Sequence, residues 1–335
     1  MREEPPRRGL SRGLGLSALW VDRPAPVEAV PVVGSGPAIP TSQRRLKVLS
    51  WNLQFCAGRH TFFYEGGDRV SVSAADVRTI AEQIGRVIAD EQADLVLLQE
   101  VDRGSRRTAG LDELGLLLDR APYPVWLSTR YHRCRYLPYP WREPLGRVEM
   151  HLCTLSRLPL IEGRRIALPP MAEPLWRQQL NLRRAILSAR VRGLDLAVGN
   201  THLSAFANGD GTLARQIAVA DAWCQAERSF VLGGDFNCLP PGDSPARLGA
   251  GAVEYSDPVP PISALIPKYV SAISPDRLAR PESRTYLPPG QLVADRTLDY
   301  VFVGPSVTVE RSWVRDDVGA LSDHLPLIVE LRLGD

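Results

Sequence analysis

Lysine is almost missing: of 40 basic residues only Lys47 and Lys268 are lysine, and the rest are arginine. Arginine forks match phosphate oxygens, although a biased genome base composition yields the same excess. A large charge of one sign is missing too. With 38 acidic residues the formal net charge is +2, so no strong overall field exists and nucleic acid is neither demanded nor excluded as a partner. The five cysteines, Cys56, Cys134, Cys153, Cys224 and Cys238, contain no C-x-x-C pair and form no even set, which excludes a disulfide scaffold and a thiolate zinc site. They read as small buried apolar residues, in keeping with a reducing, cytoplasmic location. No run of about 18 apolar residues occurs, so no transmembrane segment is expected.

What is present is ordinary globular composition. A chain of 335 residues, 44% hydrophobic and 23% charged, can bury one sizeable core, and a monomer with one catalytic domain over residues 44–335 is expected. Residues 1–43 combine Arg7-Arg8, several prolines and glycines, and one brief apolar patch near Leu14–Val21. They read as a flexible leader, with a twin-arginine export signal as the alternative.

Order begins at Leu46–Asn52, an alternating and then apolar run that ends in an amide. Val77, Ile80, Ala81, Ile84, Val87 and Ile88 recur at helical spacing, which predicts an amphipathic helix over residues 72–92 with Ser73 as its N-cap. Ala93–Val101 reads as a buried strand with Glu100 at its end. A helix is expected near Leu111–Arg120. The remainder of 103–147 reads as irregular, with an aromatic and arginine-rich segment through Tyr131, Tyr136, Tyr139 and Trp141 that suits either stacking on bases or surface packing. Further strands are expected at 148–157, 181–191, 195–203, 230–237 and 296–303, with a helix over 214–227 and a terminal strand over 328–333. Helices alternating with strands imply layers rather than a bundle.

The most informative stretch is Phe230–Asn237, where three apolar residues run into Gly-Gly-Asp-Phe-Asn. Glycines there predict a strand whose backbone meets something closely, and alternation places Asp235 and Asn237 on one face. A strand closed by an Asx-turn explains the same residues without any chemistry. The other polar strand ends decide the matter. Asn52, Glu100, His202, Asp235, Asn237, Asp299, Asp323 and His324 all fall at predicted strand ends or in adjoining turns, and ends on one side of a sheet can share a cleft. Hard oxygen donors, amides and two imidazoles suit metal-assisted attack of water on phosphorus. A glycosidase would leave the Asp-x-Asn and Asp-His pairs unexplained. No serine stands in a nucleophile-elbow setting.

Trp51-Asn52, Leu98-Gln99-Glu100, Asn200-Thr201-His202-Leu203, Gly234-Asp235-Phe236-Asn237, Leu298-Asp299-Tyr300 and Ser322-Asp323-His324 resemble, in order and spacing, the motifs of the endonuclease/exonuclease/phosphatase superfamily. This group includes DNase I-like nucleases, abasic-site endonucleases, neutral sphingomyelinases and inositol-polyphosphate phosphatases. The resemblance implies an α/β fold, a four-layered α/β sandwich of two packed mixed β-sheets flanked by helices. It implies Mg²⁺, with Mn²⁺ as a substitute, held by Glu100, Asn52 and Asp323. Asp235 would activate water, Asn237 would hold a phosphoryl oxygen, and His324, positioned by Asp299, would stabilise charge on phosphorus. His202 would be a second phosphate donor or an acid near the leaving oxygen. One departure is His151-Leu152, where members carry Gly-Asn or a similar pair.

The expected activity is thus metal-dependent phosphoester hydrolysis. A phosphodiester in a lipid or small-molecule headgroup is the preferred substrate because no lysine-rich stripe is visible, and nucleic acid is the alternative. A non-catalytic binding protein retaining the fold is the reading from another class; all eight functional positions are filled, which opposes it.

Overall fold

The computed structural model describes residues 24–39, 43–178, 180–207 and 209–334. In chain order the strands are β1 (Val27–Ala29), β2 (Val32–Gly34), β3 (Arg45–Asn52), β4 (Leu95–Asp102), β5 (Val125–Leu137), β6 (Gly146–Ser156), β7 (Leu160–Ala167), β8 (Ala185–Val191), β9 (Leu196–His202), β10 (Phe230–Asp235), β11 (Val270–Ser271), β12 (Asp299–Val303), β13 (Val307–Val314) and β14 (Leu327–Leu333). Between them lie the helices α1 (Ala74–Glu91), α2 (Glu113–Arg120), α3 (Leu175–Gln178) and α4 (Thr212–Ala226).

Period-two alternation explains how these pieces stack. In β3, Leu46 and Val48 join the core between the sheets, whereas Leu49 and Trp51 pack with Val77, Ala81, Ile84 and Ile88 of α1. In β4, Leu95 and Leu97 face the second sheet, and Val96 and Leu98 face the helices. The first sheet has the order β13-β14-β3-β4-β6-β5-β2 and the second β1-β7-β8-β9-β10-β12-β11. Both are mixed, with β3 parallel to β4 and β9 parallel to β10 among otherwise antiparallel neighbours. Helices α1 and α2 cover the first sheet; Leu213, Ile217, Ala220 and Trp223 of α4 pack on the second. The expected four-layered sandwich is the observed one.

Several elements differ from the sequence reading. Residues 27–29 and 32–34, assigned to the leader, instead add edge strands that pair with β7 and β5. Arg7-Arg8 and the patch at 14–21 lie outside the described residues. The segment expected to be irregular contains the thirteen-residue strand β5. Its buried positions at Val125, Leu127, Thr129 and Tyr131 do alternate, but interleaved arginines and a histidine hide the pattern. Strands β7 and β13 were missed because few of their residues are apolar on both faces. The N-cap of α1 is as expected, with Ser73 accepting from the Asp76 amide. All five cysteines are buried and free.

The two glycines of β10 have distinct reasons. A methyl group on Gly233 would meet Leu97 Cδ1 at 2.7 Å across the sandwich, and one on Gly234 would meet the Thr201 carbonyl oxygen at 1.9 Å, at a φ of +148°. Gly234 therefore lets β10 lie against β9 with its last residue, Asp235, opposite His202. Gly234→Ala is expected to destabilise the fold by about 3 kcal/mol or more, because backbone rather than a flexible side chain must yield. Urea denaturation checks this; an unchanged midpoint would contradict it.

Candidate active site

The two sheets open at one end into a cleft of about 570 Å³. Asn52, the last residue of β3, lies on the same face as Val48, and Asp235, the last of β10, on the same face as Gly233. The two therefore meet across the sandwich, with Asn52 Nδ2 donating to Asp235 Oδ2 at 3.1 Å. Behind them a buried polar ladder fixes the sheets: Gln99 Nε2 donates to Asn200 Oδ1 at 2.8 Å, and Asn200 Nδ2 donates to the Leu98 and Cys153 carbonyls.

Glu100 reaches the cleft by a different device. Alternation alone would turn it toward the helices with Val96 and Leu98. The pairing of β4 with β6 slips between Leu98 and Val101, so three steps on β4 match two on β6. Glu100 is the extra residue, with φ +55°, and this bulge aims its carboxylate into the cleft. The strand continues to Asp102, so Glu100 is delivered by a bulge rather than by a strand end.

Asn237 is also placed by a turn. The chain leaves the extended conformation after Asp235, Asn237 has φ +48°, and its amide donates to Asp235 Oδ1 at 2.9 Å. This is the Asx-turn that competed with the functional reading, and here it performs both tasks. It presents Asn237 to the cleft while its Nδ2 donates to the Leu203 carbonyl at 3.1 Å.

The imidazoles converge on Asp235. His202 Nε2 lies 3.2 Å and His324 Nε2 lies 3.6 Å from Asp235 Oδ2. His324 Nδ1 donates to Asp299 Oδ2 at 2.7 Å, and Asp299 is the first residue of β12, directly opposite Asp235. Burial opposes charge on His324, but Asp299 and Asp235 outweigh it and hold its pKa well above the ordinary value. His202 is the reverse: burial, then repulsion by Arg184 and His324, push its pKa well below the usual range. The Asp235 carboxylate facing Nε2 suits a neutral ring protonated there, and Nδ1 lies 3.2 Å from Tyr131 Oη. Tyr131 backs this histidine, whereas Tyr136 and Tyr139 are exposed on the β5–β6 hairpin. His151 faces Ser128 and Glu149.

Among the described residues, two groups could hold a metal ion. Asp235, Asp299 and His324 bring ligand atoms within 4.8 Å of one another. That trio is already satisfied by a proton, since an imidazolium between two carboxylates needs no cation. The second group is Glu100, Asn52 and Asp323, all lining the cleft. Burial raises the Asp323 carboxyl to about 7, His324 opposes the shift, and Glu100 and Glu65 add to it. Carboxylates facing one space with mutual repulsion suit a hard divalent ion, and the buried Gln54 Oε1, without a hydrogen-bond partner, is a further acceptor on the same wall. The donor set therefore fits a divalent cation there.

All eight predicted positions line the cleft except Asp299, which sits behind His324. The sequence reading missed Glu65, Gln54, Arg107, His132, Arg184 and Tyr286, which line it as well. Loop residues such as Glu65 and Tyr286 carry no periodic signal, so only the fold reveals them. Gln54 lies in a run with Phe55 and Cys56 in which all three have positive φ, a turn that nothing in Gln-Phe-Cys announces.

Layer order, topology and cleft together define an α/β sandwich of the DNase I-like class. Residues 49–324 match the model of the Endonuclease/Exonuclease/phosphatase family, and the chain belongs to that family, whose members are phosphoester hydrolases and nucleases. A structure described as an endonuclease/exonuclease/phosphatase from Beutenbergia cavernae is similar at 23% identity and TM-score 0.63, over 87% of this chain and 72% of that one. One from Bacteroides vulgatus is similar at 15% identity and TM-score 0.54, over 87% and 100%. D. rerio TDP2 complexed with a single-strand DNA product is similar at 16% identity and TM-score 0.52, over 86% and 99%. These likenesses concern the fold. No curated protein matches the chain.

Proposed function

We propose that the protein is a Mg²⁺-dependent phosphodiester hydrolase in which Asp235 activates water and His324 steadies the charge that develops on phosphorus. The observation that carries this reading is the convergence of Asn52, His202, His324 and the Asn237 amide on one buried carboxylate. Mg²⁺, with Mn²⁺ as a substitute, would be held by Glu100, Asn52 and Asp323 and would polarise the phosphoryl oxygen as a Lewis acid. Asp235 takes the proton of the attacking water at Oδ2 as the new P–O bond forms and the P–O bond to one alcohol breaks, the departing oxygen taking its proton from solvent. Burial raises its carboxyl to about 6, His324 opposes the shift and Asp299 adds to it, which leaves a base matched to neutral solution. His324 donates from Nε2 to a non-bridging oxygen, and Asp299 keeps it protonated and oriented. Asn237 binds a second oxygen. His202, being neutral, acts through its Nε2–H as a donor and not as a proton source. The same reading takes the protein as a cytoplasmic monomer, in line with its free cysteines.

The pH profile follows. Activity requires Asp235 deprotonated and His324 protonated, so kcat/KM should rise through about pH 6 and fall again in the alkaline range above the ordinary histidine value. Hydrolysis of bis(p-nitrophenyl) phosphate at saturating Mg²⁺ measures this. A profile that climbs steadily through alkaline pH would contradict the roles assigned.

For the substrate, the outer cleft walls support a lipid or small-molecule headgroup with an apolar portion: Leu137, Leu145, Val148 and Met150 stand on one side, and Leu180, Leu182 and Phe206 also line the space. A nucleic acid is the second reading, favoured by Tyr136, Tyr139 and Trp141, which are exposed on the β5–β6 hairpin among Arg133, Arg135 and Arg142. A Mg²⁺-supplemented panel of sphingomyelin, inositol phosphates, cyclic nucleotides, abasic DNA and plasmid separates them. Nucleic-acid binding should weaken steeply between low and moderate salt through counterion release, whereas turnover of a lipid headgroup should follow the available membrane surface.

A further inference from the structure

Among the described residues Arg107, Arg177 and Arg184 line the cleft, and none has a task in the reaction above. Arg184, immediately before β8, lines the wall and is only 4% exposed, yet its Nε and Nη1 have no hydrogen-bond partner. Arg107, equally buried in the same wall, shows the contrast: its Nε and Nη2 donate to Asp102 at 2.7 and 3.0 Å. A buried guanidinium without a counter-charge is costly, and unlike lysine it does not escape by neutralising. The surroundings hold Arg184 in place without neutralising it. The Arg183 amide donates to the Tyr131 carbonyl at 2.6 Å, and the Arg184 guanidinium carbon lies 5.4 Å from the centre of the Tyr131 ring.

A second unsatisfied group stands on the same wall. His132 is 4% exposed, and its Nδ1 has no hydrogen-bond partner. Its neighbours give it no negative charge to spare: burial, then Arg107, Arg184 and Arg183, keep it neutral. This part of the cleft is thus incompletely hydrogen-bonded, with Arg107, Arg183 and Arg184 acting on His132, whereas Glu100 and Asp323 face each other at the other end.

We propose that Arg184 binds a second anionic group of the substrate, beside the reacting phosphoester on the His202 side, so that the preferred substrate is a phosphodiester with an adjacent phosphate. The contacts run from Arg184 to Tyr131, from Tyr131 to His202, and from His202 to Asp235. Arg184 therefore meets the cleft on the Tyr131 and His202 side, within electrostatic reach of His202, whereas Asn237 and His324 are assigned to the reacting oxygens. Because Nε and Nη1 are sealed from solvent, a phosphate there would be met by Nη2 and by the charge of a guanidinium already fixed in place. This inference rests on the phosphodiesterase reading of the same cleft.

Two probes that differ by one phosphate test it: the 5′-(p-nitrophenyl) ester of thymidine 5′-monophosphate and the corresponding ester of thymidine 3′,5′-bisphosphate. The wild type is expected to favour the bisphosphate ester in kcat/KM by about 10- to 100-fold, mainly through KM. Arg184→Met should bring that ratio close to one, and Arg184→Lys should restore part of it. No preference in the wild type, or the same preference in Arg184→Met, would overturn the assignment. A binding arm is independent of turnover: in metal-free buffer, inorganic pyrophosphate should raise the melting temperature of the wild type and of Asp235→Asn but not of Arg184→Met. Equal rises in all three would overturn it as well. If neither ester is hydrolysed, the phosphodiesterase reading fails, while the pyrophosphate measurement still decides for or against Arg184.

Discussion

Asp235→Asn is expected to lower kcat on bis(p-nitrophenyl) phosphate by about 10³-fold or more while leaving the protein folded. The two halves of this expectation have the same origin. An asparagine keeps the oxygen that accepts from the Asn237 amide, so the turn after β10 survives. It removes the basic oxygen that Asn52, His202 and His324 surround. Steady-state kinetics together with a melting curve check both parts. A variant that retains activity, or one that loses it only because it unfolds, would contradict the role of Asp235.

The second large effect concerns Glu100. Millimolar Mg²⁺ should raise the melting temperature of the wild type, by about 5 °C at a hundredfold excess over Kd, because an ion that prefers the native state stabilises it by mass action. Glu100→Ala should abolish that rise and reduce turnover by about 10³-fold. The variant without metal should melt no lower than the wild type without metal, since the change relieves repulsion among Glu100, Glu65 and Asp323. An undiminished Mg²⁺ response in Glu100→Ala would place the ion elsewhere, with the Asp235, Asp299 and His324 group as the next candidate. The absence of any Mg²⁺ response in the wild type would favour the non-catalytic alternative.

The layers were legible because the apolar runs of β3, β4 and β9 mark strands buried on both faces, and the helical spacing of α1 marks an element that covers them. The cleft was legible because its residues close strands, and strand ends on one side of a sandwich have a common destination. Illegible were the departures from regularity that aim the side chains. Nothing in Leu-Gln-Glu-Val states that Glu100 is an extra residue against β6, and nothing in Gly-Asp-Phe-Asn states that Asn237 turns left-handed. Strand β5 escaped notice because arginines occupy its outward positions, and the edge strands β1 and β2 because three residues between prolines and glycines are too few to show a period. Arg184 was invisible for a different reason. Among this many arginines, only the structure distinguishes one with a buried carboxylate partner from one without.

The most direct test of the central claim is anomalous diffraction from crystals grown with Mn²⁺ and inorganic phosphate. One Mn²⁺ peak is expected in contact with Glu100, with Asn52 and Asp323 as its neighbours and the phosphate between it and His324. A metal peak outside this cleft, or phosphate bound away from Asn237 and His324, would contradict the assignment of this site.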